Sequence, residues 1–282
     1  MSTGWRLRIT HRTWFDYAGL VDSSYNEARM SPRSEPRQSV LDSRVDAQPS
    51  ARIYRYEDYW GTIVTAFDLH LPHGSLAITA SALVETSLTE GVEPDDGPGW
   101  EDVGSLDRWH ELLLPTPRTA LDEELTAIAA DLRAAHPSPQ AAALAACEMV
   151  RQSVEYLPGT TGVQTDAVHA WRQRSGVCQD ISHLVVGLLR AMGTPARYVS
   201  GYLHPQPEGK IGEEVAGQSH AWVEWWAGAW VGFDPTNGVP IQQRHVSVGR
   251  GREYGDVPPL KGVYSGPENT GQGVEVLLTR LR

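Results

Sequence analysis

The chain is poor in cysteine. Its 282 residues hold two, Cys147 and Cys178, too few for a disulfide framework. No Cys-x-x-Cys is present, which argues against a dithiol redox enzyme. Long apolar runs are missing as well. The opening Met1–Thr10 has neither the core of a signal peptide nor a membrane span. With the thiols reduced, a cytoplasmic location is the expectation. Basic residues are outnumbered: 24 Lys and Arg face 35 Asp and Glu, a net charge of −11. That balance argues against a general affinity for nucleic acid or an anionic membrane. No His-Glu-x-x-His accompanies His11, His70 or His73, and no twelve-residue oxygen-rich loop is present. Neither a metal site nor a cofactor is therefore expected. The sequence carries no signal for oligomeric state.

What is there divides into two parts. Residues 1–115 read as short strands: alternation around Leu7 and Ile9 and around Val40 and Val45, two aromatic and β-branched runs in 54–69 split by Trp60-Gly61, and strict period two from Leu76 to Val84. Turns at 72–74 and 94–99 separate these runs. This predicts a mainly-β domain, sandwich-like or a small open barrel. The stiff Pro115-Thr116-Pro117 marks a boundary. Residues 116–282 form the second domain. Helices are predicted at 121–134, at 139–154 behind the N-cap Ser138, at 164–174, and from Cys178 to Met192. Strands follow at 196–202, 218–225 and 229–233. Helices first and an antiparallel sheet after give an α+β class. The last strand, 274–282, follows a glycine-rich break and is free to join either sheet.

Cys147 sits in an alanine-rich helical run and reads as packing. Cys178 does not. It opens a helix whose unpaired N–H groups and dipole favour a thiolate. A histidine and an aspartate follow, in Ser219-His220-Ala221 and Phe233-Asp234-Pro235. Cys178, His220 and Asp234 supply a nucleophile, its base and the orienter of that base. Register decides whether the last two meet. A three-residue loop, Trp226-Ala227-Gly228, places His220 opposite Asp234 on one face. A two-residue loop separates them. Around these, Tyr156 is a candidate oxyanion donor. Asp180 is a helix N-terminal charge or a partner of a nearby backbone N–H. The tryptophans beside His220, Trp222 among them, are candidates to wall a substrate groove, Trp225 reads as sheet packing, and Asn237 is a candidate cap for the turn after Asp234.

These residues carry a resemblance. Gly176-Val177-Cys178-Gln179-Asp180, His220-Ala221-Trp222-Val223-Glu224 and Asp234-Pro235-Thr236-Asn237 are similar to motifs of the bacterial transglutaminase-like family. The likeness continues through His245–Arg250 and Tyr254–Pro259, and to His11-Arg12-Thr13 and Tyr25–Pro32 at the N-terminus. It implies a papain-like core with Cys178 as nucleophile, His220 as base and Asp234 as its orienter. The expected reaction is amide acyl transfer through a thioester on a peptide or protein substrate, with hydrolysis as the outcome. Alternatives are a protein-glutamine transglutaminase or a non-catalytic binding module.

Overall fold

Alternation in the first part builds six strands: β1 (Trp5–Val21), β2 (Ser23–Ala28), β3 (Gln38–Gln48), β4 (Ile53–Glu57), β5 (Ile63–Leu69) and β6 (His73–Thr86). The computed structural model describes residues 4–88, 97–103 and 107–282. Met1–Thr3 and Pro94–Asp96, on which the leader and turn readings partly rested, lie outside the described residues. The sequence pattern does not mark β2. Its inward residues are Ser24, Asn26 and Ala28 rather than large apolar ones, and Asn26 Nδ2 donates to Ser24 Oγ at 3.0 Å.

The helices come next: α1 (Trp100–Val103), α2 (Glu123–Ala135), α3 (Pro139–Ser153), α4 (Ala167–Gln173) and α5 (Cys178–Ala191). Three start where a side chain caps them. Asp122, Ser138 and Asp166 accept from Leu125, Ala141 and His169 backbone N–H groups. Short strands β7 (Glu155–Tyr156) and β8 (Ser175–Gly176) pair in parallel just before α5. The α5 stripe of Ile181, Leu184, Val185, Leu188 and Leu189 is fully covered. Each such side chain contributes about 1.5–3 kcal/mol on burial. Their partners come from α2, α3, α4 and the sheet behind, including Leu125, Ala146, Val150 and Trp225. Among the described residues, no helix is long and apolar enough to cross a membrane.

The chain then forms β9 (Ala196–Leu203), β10 (Glu214–Ala216), β11 (Gln218–Trp226), β12 (Trp230–Asp234), β13 (Val239–Pro240), β14 (His245–Gly251), β15 (Leu260–Ser265) and β16 (Asn269–Arg280). One sheet runs β13-β12-β11-β9-β14 and carries α5. A second runs β10-β16-β1-β6-β3, and a third β15-β2-β5-β4. The architecture is the expected α+β: a mostly-β N-terminal region followed by a core of helices and sheet. The closing strand joins the N-terminal sheet, pairing with β1 from Leu7↔Arg280 to Tyr17↔Asn269. Part of the glycine-rich break is strand too. A Cβ on Gly273 would lie 2.1 Å from the Trp14 ring, so glycine lets that ring cover the strand. Trp5, Leu7, Ile9 and Leu278 pack with Tyr202, Val246 and Val248. The N-terminal sheet is thereby held against the strands that carry the candidate site.

Candidate active site

Cys178 is the first residue of α5, half-buried beside Tyr198, Ala221, Val257 and Tyr254. The turn behind it is fixed by Asp180. The Asp180 carboxylate accepts the Val177 N–H at 2.8 Å and the Thr161 hydroxyl at 2.6 Å, both on Oδ2. Its Oδ1 is buried without a partner among the described residues. Burial pushes the Asp180 pKa up, and those two hydrogen bonds oppose the rise. Asp180 therefore braces the start of α5 from inside. A Cβ on Gly176 would stand 3.0 Å from its carboxylate, which shows how closely the chain passes.

His220 lies on β11 opposite Gly201 of β9. Its Nε2 sits 2.8 Å from Asp234 Oδ2, and both groups are buried. The expected register differs in detail. The ladder pairs Val223 with Phe233 and Trp226 with Trp230, so the loop is Ala227-Gly228-Ala229. Gly228 takes the left-handed conformation at φ 82°, in the middle of the loop rather than at its end. His220 is thus a diagonal neighbour of Asp234, not its opposite. The loop still has three residues, so parity is kept and both side chains share a face.

Asp234 Oδ2 also lies 3.2 Å from His245 Nε2 and accepts Asn237 Nδ2 at 2.7 Å. Its Oδ1 accepts the backbone N–H groups of Thr236 and Asn237. Asn237 thus ties the turn to the carboxylate through both backbone and side chain. Burial opposes ionisation of Asp234, but the hydrogen bonds from His220 and His245 and the charge of the His220 ring hold its pKa far below the carboxylate range. For His220, burial disfavours the charged ring. The hydrogen bonds to Asp234 and Cys178, and the charges of both, outweigh burial and raise its pKa to about 10. With Nε2 on the carboxylate, Nδ1 is the ring nitrogen left for the thiol.

His245 was not singled out from the sequence as a site residue. The Gln242 N–H donates to its Nδ1 at 3.1 Å, so its proton is on Nε2, aimed at Asp234. Burial leads in lowering its pKa, which keeps it neutral. It lies across the sheet, on β14, so no ladder position relates it to Asp234. The available signal was the likeness running on through His245–Arg250. By type, His220, Asp234 and His245 are metal-ligating residues, their atoms within 4.8 Å of one another. As placed, both Nε2 atoms are turned on a single carboxylate oxygen, which the hydrogen bonds explain.

Cys178 and His220 open onto a cleft of about 680 Å³. Tyr156, Gln218, Tyr198 and Tyr254 line it from the helical part; His11, Thr13 and Phe15 of β1 and Val274 and Val276 of β16 line it from the other side. The Tyr156 hydroxyl donates to Gln218 Oε1 at 3.1 Å. Burial raises its pKa, with the charge of Cys178 adding to the rise. The tryptophan expectation fails. Trp222 is buried with Val199 and Ile241, its ring edge-on to His245 at 5.5 Å. Trp225 is core, which matches its reading as sheet packing, and Trp226 and Trp230 cluster with Trp109. None of the four lines the cleft, because outward positions on this hairpin face Trp109 and Arg197 rather than Cys178.

Residues 126–235 match the model of the transglutaminase-like superfamily, and residues 7–85 that of the bacterial transglutaminase-like N-terminal region. An uncharacterized protein of Mycobacterium leprae is 46% identical, over 98% of this chain and 99% of that protein. A protein-glutamine gamma-glutamyltransferase of Pseudomonas aeruginosa is 33% identical over 139 residues, 46% of this chain and 20% of that protein. A solved structure presented as a candidate cysteine protease from Cytophaga hutchinsonii has a TM-score of 0.81 at 22% identity, covering 100% of this chain and 92% of that one. The cytoplasmic expectation does not stand. Two similar solved structures, 23% and 20% identical with TM-scores of 0.38 and 0.37, are of the periplasmic domain of TgpA from Pseudomonas aeruginosa. Each covers 84% of this chain and about nine-tenths (91% and 89%) of its own. A nucleophilic thiol stays unpaired wherever it works, so free cysteines do not fix the compartment.

Proposed function

This chain belongs to the transglutaminase-like superfamily, with the bacterial N-terminal region, and on that premise we propose that it cleaves peptide or protein amides through Cys178. The observation that carries the reading is His220, held by Asp234 and raised to a pKa of about 10 in the cleft it shares with Cys178. At neutral pH such an imidazole holds its proton, ready for a leaving amine.

The sulfur attacks the amide carbonyl and forms a C–S bond. The oxyanion meets the Cys178 N–H at the start of α5 and a side-chain donor. Tyr156 and Gln218 are the candidates. Because the Tyr156 hydroxyl is engaged with Gln218 Oε1, the Gln218 amide N–H groups are the freer donors. His220 gives its proton to the leaving amine as the C–N bond breaks. Water then attacks the thioester, passing a proton to His220, and the C–S bond breaks to return the thiolate. Asp234 keeps the ring in place throughout, and Asn237 and His245 keep Asp234 in place. Hydrolysis is favoured because the cleft of about 680 Å³ admits many waters, at about 30 Å³ each, beside the thioester.

A second reading puts an amine in place of water, and the partial match to a protein-glutamine gamma-glutamyltransferase favours it. Incubation with casein and a fluorescent primary amine separates the two, since the thioester is common to both. Peptide release exceeding amine incorporation, and lost in Cys178→Ala, is the expected result. Excess incorporation makes the chain a transamidase, and release undiminished in Cys178→Ala ends the account.

A further inference from the structure

A second cavity, of about 250 Å³, adjoins the cleft. Phe15 and Leu260 line both. Its other walls include Tyr17, Leu76, Gly262 and Tyr264, with Asn26 and Asn269 adding two amides, so it pairs apolar and aromatic surface with polar groups. It opens between the β1 sheet and the β15 sheet, where the rings of Tyr17 and Tyr264 meet at 4.9 Å. Gly262 faces inward: a Cβ there would lie 2.7 Å from Asn26 Oδ1. The absent side chain makes room for the Asn26 amide, which lines the cavity beside it.

The strand beside this cavity has an open edge. β15 ends its sheet, and among the described residues only β2 pairs with it. Along the other edge its backbone N–H and C=O groups face outward in an extended row. The row leads somewhere. Pro259 and Leu260, at the start of β15, already line the catalytic cleft.

We propose that an extended polypeptide substrate binds by adding a strand to the free edge of β15, with a large apolar side chain in the cavity beside Gly262 and its chain running on to Cys178. The inference rests on the amide-cleaving reading of the cleft. Backbone pairing supplies affinity, and the pocket supplies selectivity. In an added strand every second side chain turns inward, next to Leu260, Gly262 and Tyr264. The N-terminal β region and the last two strands thereby select what the catalytic part cuts.

Extended Gly-Ser peptides, each with one phenylalanine at a different position and a fluorescein label, test this on the Cys178→Ala protein by fluorescence anisotropy. Phenylalanine at one position should tighten binding about tenfold over the Gly-Ser parent, as partial burial of an aromatic side chain implies. A phenylalanine at the adjacent position should not. Gly262→Leu, which fills the cavity, should erase the gain. Tyr264→Ala, which removes a wall and does not crowd Asn26, should cut it at least threefold in a protein that folds. Affinity indifferent to the position of phenylalanine, or a gain kept in both variants, overturns the proposal. Cleavage of the same peptides by the unaltered protein is scored separately. A positional binding preference without Cys178-dependent cleavage would leave the subsite and remove the catalytic reading. Cleavage without a preference would do the reverse.

Discussion

Asp234 is the most heavily engaged residue of the site, and its partners explain why its neighbours titrate as they do. Its carboxylate takes hydrogen bonds from two imidazoles, one side-chain amide and two backbone N–H groups. The sign of the pH dependence follows. His220 has its pKa raised from 6.5 to about 10 in the folded protein. Its contribution to stability is complete below about pH 6.5 and is lost as pH rises toward 10. Asp234 is shifted the other way, so its contribution is complete above the ordinary carboxylate range and survives well below it. The difference in urea midpoint between the unaltered protein and His220→Gln should therefore shrink between pH 6.5 and 10. A difference that grows over that range would contradict the pairing. At this scale Cys178, His220 and Asp234 were legible because each stands in a short motif with a chemical logic. His245 was not, because its link to Asp234 crosses the sheet and has no spacing in the chain.

At the scale of elements, α5 matters most. Its length, its stripe and its stop at Gly193 could be read from periodicity and capping, and Gly193 takes φ 83° as a C-terminal glycine does. What holds its first turn was one of two readings of Asp180, as a helix-terminal charge or as the partner of a nearby backbone N–H, and the structure shows the second. The N-cap is Val177, which has no capping side chain, and Asp180 reaches back instead to accept its N–H at 2.8 Å. Asp180→Ala should cost about 0.5–2 kcal/mol, the usual size of a lost cap. It should also change the rate at which iodoacetamide labels Cys178, because the turn that aims the sulfur loosens. A melting temperature and labelling rate both unchanged would show that the Thr161 and Val177 contacts do not brace this helix. The hairpin teaches a related lesson. Loop length, not the identity of the loop residues, set the shared face of His220 and Asp234, so a one-residue error at each end did no harm. The tryptophans misled because a crowded hairpin does not reveal which side the cleft is on.

At the scale of the whole molecule, the N-terminal part is joined to the core by buried charge as well as apolar packing. Glu224 on β11 accepts from Arg250 at 2.9 and 3.0 Å and from Arg197 at 2.7 Å, and Arg250 also pairs with Glu35 at 2.7 Å. Burial opposes the Glu224 charge, but the two guanidinium groups bring its pKa down to about 2. Its contribution is thus present above about pH 4.5 and lost as pH falls through 2. Removing one member strands the others, so Glu224→Ala should cost about 3–5 kcal/mol by urea titration at pH 7. A cost below about 1 kcal/mol would mean the network is no more than a surface pair. None of this was legible in advance. Glu35, Glu224 and Arg250 are far apart in the chain, and so are β1 and β16, whose pairing closes the N-terminal sheet and walls the cleft.

The covalent step is the central claim, and it leaves a mass. Protein mixed with casein-derived peptides and quenched in acid during turnover is measured intact, with and without hydroxylamine. The account predicts an acyl adduct on Cys178 that hydroxylamine removes and that is absent from both Cys178→Ala and His220→Ala. Peptide cleavage that proceeds with no adduct, and continues undiminished in Cys178→Ala, would contradict it.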